Sequence, residues 1–579
     1  MYNPNNAKSR DSLYKAIQSS EAVLSEERES YRRMVRKYSN RTKGRFGDKN
    51  GPPLANRLNQ AASADCTLLA SGRPQFRYRP KRRSLSHFAT RLRLRINSLV
   101  DEIRLEDTLQ RIVLSAWFRL GIGKFYMRDS ALVQLEENVH ADPGSPFFGN
   151  VSFGRFFLDM NSLEPGEIDF KGDEYDVDWE RLNDSGLFEK KVTSRLHPDK
   201  NGYKYDASQD GAANDIFADP ATAESGRRPK VRLRDVYLPR EKLLVTWPCK
   251  MDTPPLRVLE LYEDDYDFDP YPLLWFDPIP DNALPVSPGD VVEKLHDQGV
   301  SLRRRLQMQA AAMKSVTFYE PEAAKTADMW RTAQHGQYCE TAADSLEKIK
   351  RLDTPGPDAN LVRYTQVNDE LFDEFAGHLR AKTGGQVSAP TATGASLSSQ
   401  AVGTMLAKKQ YRVTKLVAEV GRGLTKMLMA DKFDTREQYA TLPGFPEFSY
   451  PAHWMPNIRE GSPSDYEPEV IPYTLSFKPP EQLLRDLIGF VKEVGLPMAN
   501  DFAASGQRIN PTKLLELAAD LGGMPELLEI YDTVEPVESV ADEGRQSPVT
   551  TRQTIRRSEA ASDPMSELVE GMEPAPAGA

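Results

Sequence analysis

The amino-acid sequence predicts an α+β protein that is predominantly helical and is divided into several structural units. Its 579 residues exceed what one hydrophobic core usually organises. Segments 12–38, 287–314 and 398–432 have the residue spacing of helices, whereas 150–275 is rich in short β-type runs. With 39% hydrophobic and 28% charged residues, the composition predicts a soluble folded chain, neither disordered throughout nor embedded in a membrane.

The first half of the chain predicts helices that alternate with strands and then a β-rich region. A Gly-Arg-Pro sequence at 72–74 stops one of the early helices. The β-rich region is broken by Gly, Pro and Asp clusters, and 201–228 is predicted to be a surface loop. The predicted elements are helices at 12–38 and 54–70, a strand at 75–79, one helix at 85–119, and strands at 124–128, 151–159 and 242–247.

A clear helix start stands at position 287. Ser287 can cap the helix, Pro288 suits its first turn, and Asp290 occupies the acidic position of a capping box. The apolar positions that follow step by four and seven, as in a helix that packs on copies of itself. They are Val291, Leu295, Leu302, Leu306 and Met313. An ordinary amphipathic helix explains the same spacing.

A compact insertion follows this helix and separates it from a second one. A 25-residue stretch without charge, 383–407, then begins as a flexible Gly-, Ser- and Thr-rich loop and continues into a helix on the order of 50 Å long. The predicted elements are a strand at 316–320, a helix-plus-strand unit through 353, helices at 368–382 and 398–432, a strand at 473–477, short helices within 480–531, and a disordered tail from 534.

Charge is distributed unevenly along the chain. Residues 31–100 contain 18 Lys and Arg against two Asp, a net of +16, which leaves the rest of the chain at −26. Residues 260–281 carry eight carboxylates and no base. A basic run of this kind usually forms a solvated or subunit-pairing surface, and phosphate binding is the alternative. We interpret Phe76, Tyr78 and Phe88 in the basic segment as core residues rather than base-stacking groups.

The sequence has no recognisable motif for catalysis, cofactor binding or metal binding. Cys66, Cys249 and Cys339 are far apart, which indicates a reducing compartment without disulfides. Gly121-Ile-Gly123-Lys124 resembles a phosphate loop only superficially, because it lacks the upstream Gly and the following Ser or Thr. We therefore predict no metal site, no nucleotide site and no cofactor, and the resemblance described next implies that the chain is not an enzyme.

The order of elements resembles a tailed-bacteriophage portal protein, the head-to-tail connector ring through which double-stranded DNA enters and leaves a capsid. The resemblance covers about 54–531. It rests on helix, Gly-Arg-Pro stop and strand (54–79), on helix, Gly-Ile-Gly turn and strand (105–128), and on helix, insertion, helix, flexible loop and long helix (287–432). The strings FYEP and GGQVSAPTATGASLSSQA look like the clip entry and the tunnel loop of the family.

The resemblance implies a wing, stem, clip and crown architecture assembled as a ring, usually a dodecamer. The ring would replace one capsid pentamer of the virion after assembly in the host cytoplasm. It would hold double-stranded DNA and contact terminase, which supplies ATP hydrolysis, as well as a tail adaptor, capsid and scaffold proteins, but no membrane. The implied segments are wing 1–286, stem helix 287–315, clip 316–367, stem return helix 368–383, tunnel loop 384–397, long wing helix 398–433, wing return 434–472, crown 473–533 and tail 534–579.

Three groups of residues are candidates for the channel and the assembly contacts. Small neutral side chains hold phosphates weakly, which suits a conduit through which DNA slides, and one lysine precedes them. The channel candidates are Lys382, Gln386, Ser388, Thr391 and Thr393. A basic stem cluster faces either phosphates in the channel or, as we favour, carboxylates of the neighbouring subunit; it comprises Arg303, Arg304, Arg305 and Lys314. Asp264, Asp265 and Asp267 are the candidates for head-to-tail pairing with the basic segment.

Two other functions fit parts of the sequence. In the first, the acidic run at 264–269 binds two metal ions in a nucleic-acid enzyme. That run, DDYDFD, lacks the Gly that closes a calcium loop and has no paired His or Lys nearby, so a solvated acidic edge fits better. In the second, the chain forms a scaffold ring that contains no DNA.

Overall fold

The computed structural model describes most of the chain up to position 471. The described residues are 6–40, 55–128, 133–136, 139–141, 144–162, 167–184, 196, 230–248, 254–261, 268–313, 315–334, 338, 340–341, 344, 347–353, 356–377, 379–382, 392–442, 445–471, 489 and 492. The predicted surface loop at 201–228 and, apart from positions 489 and 492, the predicted crown and tail lie outside them.

Helices and strands are combined in this structure, which is 54% helical and is compatible with the predicted α+β class. The α-helices are α1 (Ala7–Tyr38), α2 (Arg57–Ala70), α3 (Ser86–Glu102), α4 (Leu105–Phe118), α5 (Trp179–Asp184), α6 (Pro288–Ala312), α7 (Ala324–Thr332), α8 (Ala359–Phe375), α9 (Leu379–Lys382) and α10 (Ala392–Ala430).

The strands form small antiparallel sheets. Their bounds are β1 (Phe76–Pro80), β2 (Gly121–Arg128), β3 (Val133–Glu136), β4 (Val139–Ala141), β5 (Ser145–Asn150), β6 (Phe156–Leu158), β7 (Lys171–Asp178), β8 (Lys230–Leu238), β9 (Leu243–Pro248), β10 (Arg257–Glu260), β11 (Leu273–Leu274), β12 (Ser315–Tyr319), β13 (Ile349–Asp353), β14 (Tyr439–Leu442), β15 (Phe445–Pro451) and β16 (Tyr466–Val470). The largest sheet has the order β10-β9-β8-β7-β6, and a second has the order β11-β2-β5.

The predicted single helix at 85–119 is wrong, because it is two helices. Arg104 adopts a left-handed conformation (φ 49°) and separates α3 from α4. Both helices bury their apolar residues, so the apolar spacing continues through the break. A change of backbone direction at one non-glycine residue therefore leaves no mark in the hydrophobic pattern.

Helix α10 provides the central apolar face of the main core. At 39 residues it is about 58 Å long at 1.5 Å per residue. Val413, Val420 and Leu424 are fully buried in the cluster that also holds Phe76 and Phe88, so the interpretation of these aromatic residues as core is confirmed. Strand β1, which carries Phe76, pairs with β16 and thus joins distant parts of the chain. The Met405 side chain, nearer the start of the helix, is 53% exposed.

A large part of the uneven charge is paired within the chain. The buried Arg95 donates from Nε to Asp434 Oδ2 at 2.7 Å, and Arg79 Nη2 lies 2.9 Å from Glu469 Oε1. Within the acidic segment 260–281, Asp269 contacts Lys171 and Asp277 contacts Lys408. The basic and acidic segments therefore do not leave all of their charge for contacts with other chains.

A buried ionic cluster joins the two larger sheets. Lys124 Nζ on β2 lies 2.6 Å from Asp173 Oδ1 on β7 and 2.9 Å from Asp235 Oδ2 on β8. Tyr271 donates its hydroxyl to Asp173 at 2.6 Å, and Thr246 donates to Asp235 at 2.6 Å. Burial lowers the pKa of Lys124, but the two carboxylates outweigh it and raise the pKa above its usual value. The lysine of the Gly-Ile-Gly-Lys sequence is thus a structural cation of the interior.

Candidate assembly surface

Helices α6 and α8 pack against each other as an antiparallel pair, here called the hairpin, with the insertion at its tip. The predicted capping box is confirmed, since the Asp290 amide donates to Ser287 Oγ at 3.0 Å and the Ser287 amide donates to Asp290 Oδ2 at 3.2 Å. Helix α8 begins at Ala359, where Asp358 caps it, and not at 368 as predicted. Residues 359–367, which were predicted to belong to the clip, are therefore helical.

Polar contacts fix the register of the hairpin. Gln298 Nε2 donates to the Tyr364 hydroxyl at 2.6 Å, and Asn368 Nδ2 donates to the Leu295 carbonyl at 3.3 Å. Gly299 lies where the helices approach most closely, because a Cβ atom there would stand 2.8 Å from Asn368 Nδ2. Small residues at a helix contact allow such an approach.

The base of the hairpin is held by ion pairs to the first two helices. Lys37 of α1 lies 2.7 Å from Glu293 and 2.6 Å from Asp297 on α6. Arg57 of α2 lies 3.0 Å from Asp369 on α8. Both helices of the hairpin are therefore anchored to the body of the protein at one end.

The tip of the hairpin contains the strand pair β12–β13 and helix α7. The predicted strand at 316–320 and helix-plus-strand unit through 353 are confirmed, and the strands pair antiparallel with Thr317 opposite Arg351. Phe318, Tyr319 and Trp330 are 58%, 52% and 54% exposed. This small unit thus exposes three aromatic side chains.

An exposed apolar stripe follows the length of helix α8. It consists of Tyr364, Val367, Leu371 and Phe375, which recur at three- and four-residue steps and are 39–58% exposed. Of the 25 large apolar side chains that are exposed in the described part of the chain, 13 lie between positions 291 and 375. The hairpin and its tip therefore concentrate apolar surface that the described residues of the chain do not cover.

The predicted seam on α6 is wrong in part. Leu302 is buried inside the chain, and Leu295 packs against the cluster that includes Phe372 of α8. Val291 and Met313 are exposed. The predicted seam therefore contains both buried and exposed positions. Steps of four and seven residues identify a stripe along a helix, but they do not identify the element that covers it. The exposed stripe on α8 begins with residues that the sequence analysis assigned to the clip.

The basic stem cluster is divided by the fold. Arg303 pairs with Asp369 of its own chain, so its charge is used inside the hairpin and not on a neighbouring subunit as we favoured. Arg304 is half-buried and Arg305 is exposed on α6, whereas Lys314 lies outside the described residues. Only the Arg305 side chain projects outward from the described part of this cluster.

The structure describes little of the predicted channel lining. Lys382 ends the short helix α9, and Gln386, Ser388 and Thr391 lie outside the described residues. Thr393 falls in the first turn of α10, which begins at Ala392, so the tunnel loop predicted at 384–397 is shorter than expected. The interface candidates Asp264, Asp265 and Asp267 also lie outside the described residues.

The described ranges contain neither a cluster of metal-binding side chains nor a helix that could span a membrane. No group of three or more His, Cys, Asp or Glu side chains there is placed to hold a metal ion. Within the same ranges, no helix combines the length and apolarity needed to cross a bilayer. Cys66 carries a free thiol whose pKa is raised by burial to about 12, and Cys249 and Cys339 lie outside these ranges.

No protein-family model matches this chain, and no curated protein is significantly similar to it.

Replacing Gly299 by Val is expected to loosen the hairpin. The added side chain collides with Asn368 and removes its bond to the Leu295 carbonyl, at a cost of about 1–3 kcal/mol. Hydrogen–deuterium exchange should become faster across α8. Ser301→Val, on the exposed face of α6, is the matched control and should stay within about 0.5 kcal/mol of the unchanged protein. Equal exchange in both variants would contradict the close approach at Gly299.

Proposed function

We propose that this chain assembles into a ring and serves as a phage portal protein, the channel at one capsid vertex through which double-stranded DNA is packaged and ejected. The observation that carries the proposal is the exposed apolar stripe on α8. Monomeric proteins rarely leave contiguous apolar patches uncovered, and larger ones mark interaction sites. We therefore expect a partner to cover the exposed apolar stripe along the whole length of the hairpin.

The two outward faces of the hairpin differ in chemistry, which supports a head-to-tail contact. Besides its apolar stripe, α8 exposes the carboxylates Glu370 and Glu374. Helix α6 exposes Lys294, Arg305 and Met308. Exposed Arg363 on α8 and exposed Asp297 on α6, which pairs with Lys37, reduce the charge of each face without reversing its sign. A contact between unlike faces closes into a ring when the rotation between neighbours divides a full turn.

The portal class is favoured over other rings by the order of elements. The hairpin carries a small strand-and-helix unit at its tip, and an uncharged Gly-, Ser- and Thr-rich segment lies between α9 and α10. In a ring, each side chain is repeated around the channel, so neutral residues hold the phosphates of DNA weakly while lysine or arginine arrays would hold them strongly. Terminase, a tail adaptor, and capsid and scaffold proteins are the partners that this role requires.

Electron microscopy of the purified full-length protein tests the proposal directly. We expect closed rings with an open central channel wide enough for a B-form duplex. Monodisperse monomers would overturn the proposal that the chain assembles into a ring. Rings whose channel is blocked or narrower than a duplex would favour a scaffold ring without DNA. Magnesium-dependent cleavage of DNA by the purified chain would favour the nucleic-acid enzyme instead.

A further inference from the structure

A polar groove lies between helix α1 and the five-stranded sheet, on a different part of the molecule from the hairpin. Its volume is about 610 Å³, within the range of small-molecule sites. Tyr14 and Gln18 of α1 line one side. The charged lining comes from α1, from the turn before β6, and from β7 and β8; it consists of Glu21, Arg28, Arg155, Glu174, Arg232 and Arg234.

The guanidinium groups of this groove outnumber its carboxylates. Arg155 and Arg232 share Asp176, with N–O distances of 2.9 Å and 3.2 Å. Arg234 binds Glu21 at 2.9 Å and also contacts Glu174. Four arginines and two glutamates, Glu21 and Glu174, line the groove, and Asp176 lies outside that lining.

Arg28 contributes to that excess of positive charge. Its Nη2 donates to the carbonyl of Phe156 at 2.8 Å, and its buried Nε has no acceptor among the described residues. Burial lowers the pKa of this guanidinium, although Glu21 and Glu174 partly oppose that effect. Arg28 is half-buried in the groove lining and forms no ion pair with a carboxylate among the described residues, so its charge is available to a bound anion.

We propose that this groove binds a small ligand through a phosphate group, either free phosphate or the phosphate of a mononucleotide. The four arginines come from three separate elements, α1, the turn before β6, and β8. A tetrahedral phosphate accepts hydrogen bonds from several sides, whereas a planar carboxylate is satisfied by one arginine fork. The proposal does not depend on ring formation, because none of these residues belongs to the hairpin.

Calorimetric titration of the full-length protein at constant ionic strength tests the site, with inorganic phosphate and AMP as separate probes. We expect saturable binding that Arg28→Gln weakens by about tenfold or more. Ala22→Trp, on the exposed face of α1 in the groove lining, should block binding without removing a charge. The matched control is Arg240→Gln, since Arg240 is 72% exposed and pairs with Asp169 at 2.9 Å away from the groove.

The two probes distinguish the source of the phosphate. Tighter binding of AMP than of inorganic phosphate supports a nucleotide ligand, and equal binding supports phosphate alone. Absence of saturable binding for both probes in the unchanged protein would overturn the proposal. Binding that survives both Arg28→Gln and Ala22→Trp would also overturn it, because the anion would then occupy another place. Circular dichroism of each variant verifies that the fold is retained.

Discussion

Val367→Asp combined with Leu371→Asp is expected to convert the assembled ring into monomers. Both side chains belong to the exposed stripe of α8 and touch water in the single chain, so the change costs the monomer little. In the ring, each subunit would bury two unpaired carboxylates in an apolar contact, and that cost is repeated at every interface. Light scattering after size-exclusion chromatography measures the result as a fall from a multiple of 65.1 kDa to a single chain.

Gln366→Asp is the matched control for this change. Gln366 is exposed on the same helix, but on the side away from the stripe, so a carboxylate there stays in water. We expect this variant to form the proposed rings to the same extent as the unchanged protein. Rings of full size from the double variant would place the subunit contact elsewhere and remove the observation on which the proposed function depends.

Lys124→Met is expected to destabilise the folded chain by about 3–5 kcal/mol, the usual cost of removing one partner from a buried ionic cluster. The change leaves Asp173 and Asp235 buried without their shared cation. Equilibrium unfolding in denaturant measures the loss. Lys408→Met is the control, because Lys408 is 59% exposed and its pair with Asp277 should contribute at most about 1 kcal/mol.

The pH dependence of the Lys124→Met variant has a definite sign. Burial already raises the pKa of Asp173 in the unchanged protein, and Lys124 opposes that effect. Without the lysine, the folded-state pKa of Asp173 rises further above its unfolded value. The contribution of Asp173 to the stability of the variant should therefore be fully present below the unfolded pKa of aspartate and be lost as the pH rises through the folded pKa. Adding Asp173→Asn should recover part of the loss at neutral pH, and equal loss in the two variants would contradict this explanation.

Local sequence signals predicted the elements that are marked by characteristic capping residues or by a regular alternation of side chains. Ser287 and Asp290 fixed the start of α6, and the alternation around Phe76 and Tyr78 predicted a strand with a buried face. The start of α8 was placed nine residues late, because its capping residue Asp358 follows directly after a Pro-Gly-Pro turn that was assigned to the clip. The break at Arg104 left no signal, since the apolar residues on both sides keep a helical spacing.

The sequence by itself determined the class of fold, the succession of helix, insertion, helix and long helix, and the uneven charge, because each of these depends on neighbouring residues and their periodicity. The tertiary structure decided which side of each element is covered. It turned Lys124 inward to two carboxylates, paired Arg303 with its own chain, and left the stripe from Tyr364 to Phe375 exposed. A helical period specifies a face, but only the packing of residues distant in the sequence determines whether another element of the same chain covers it.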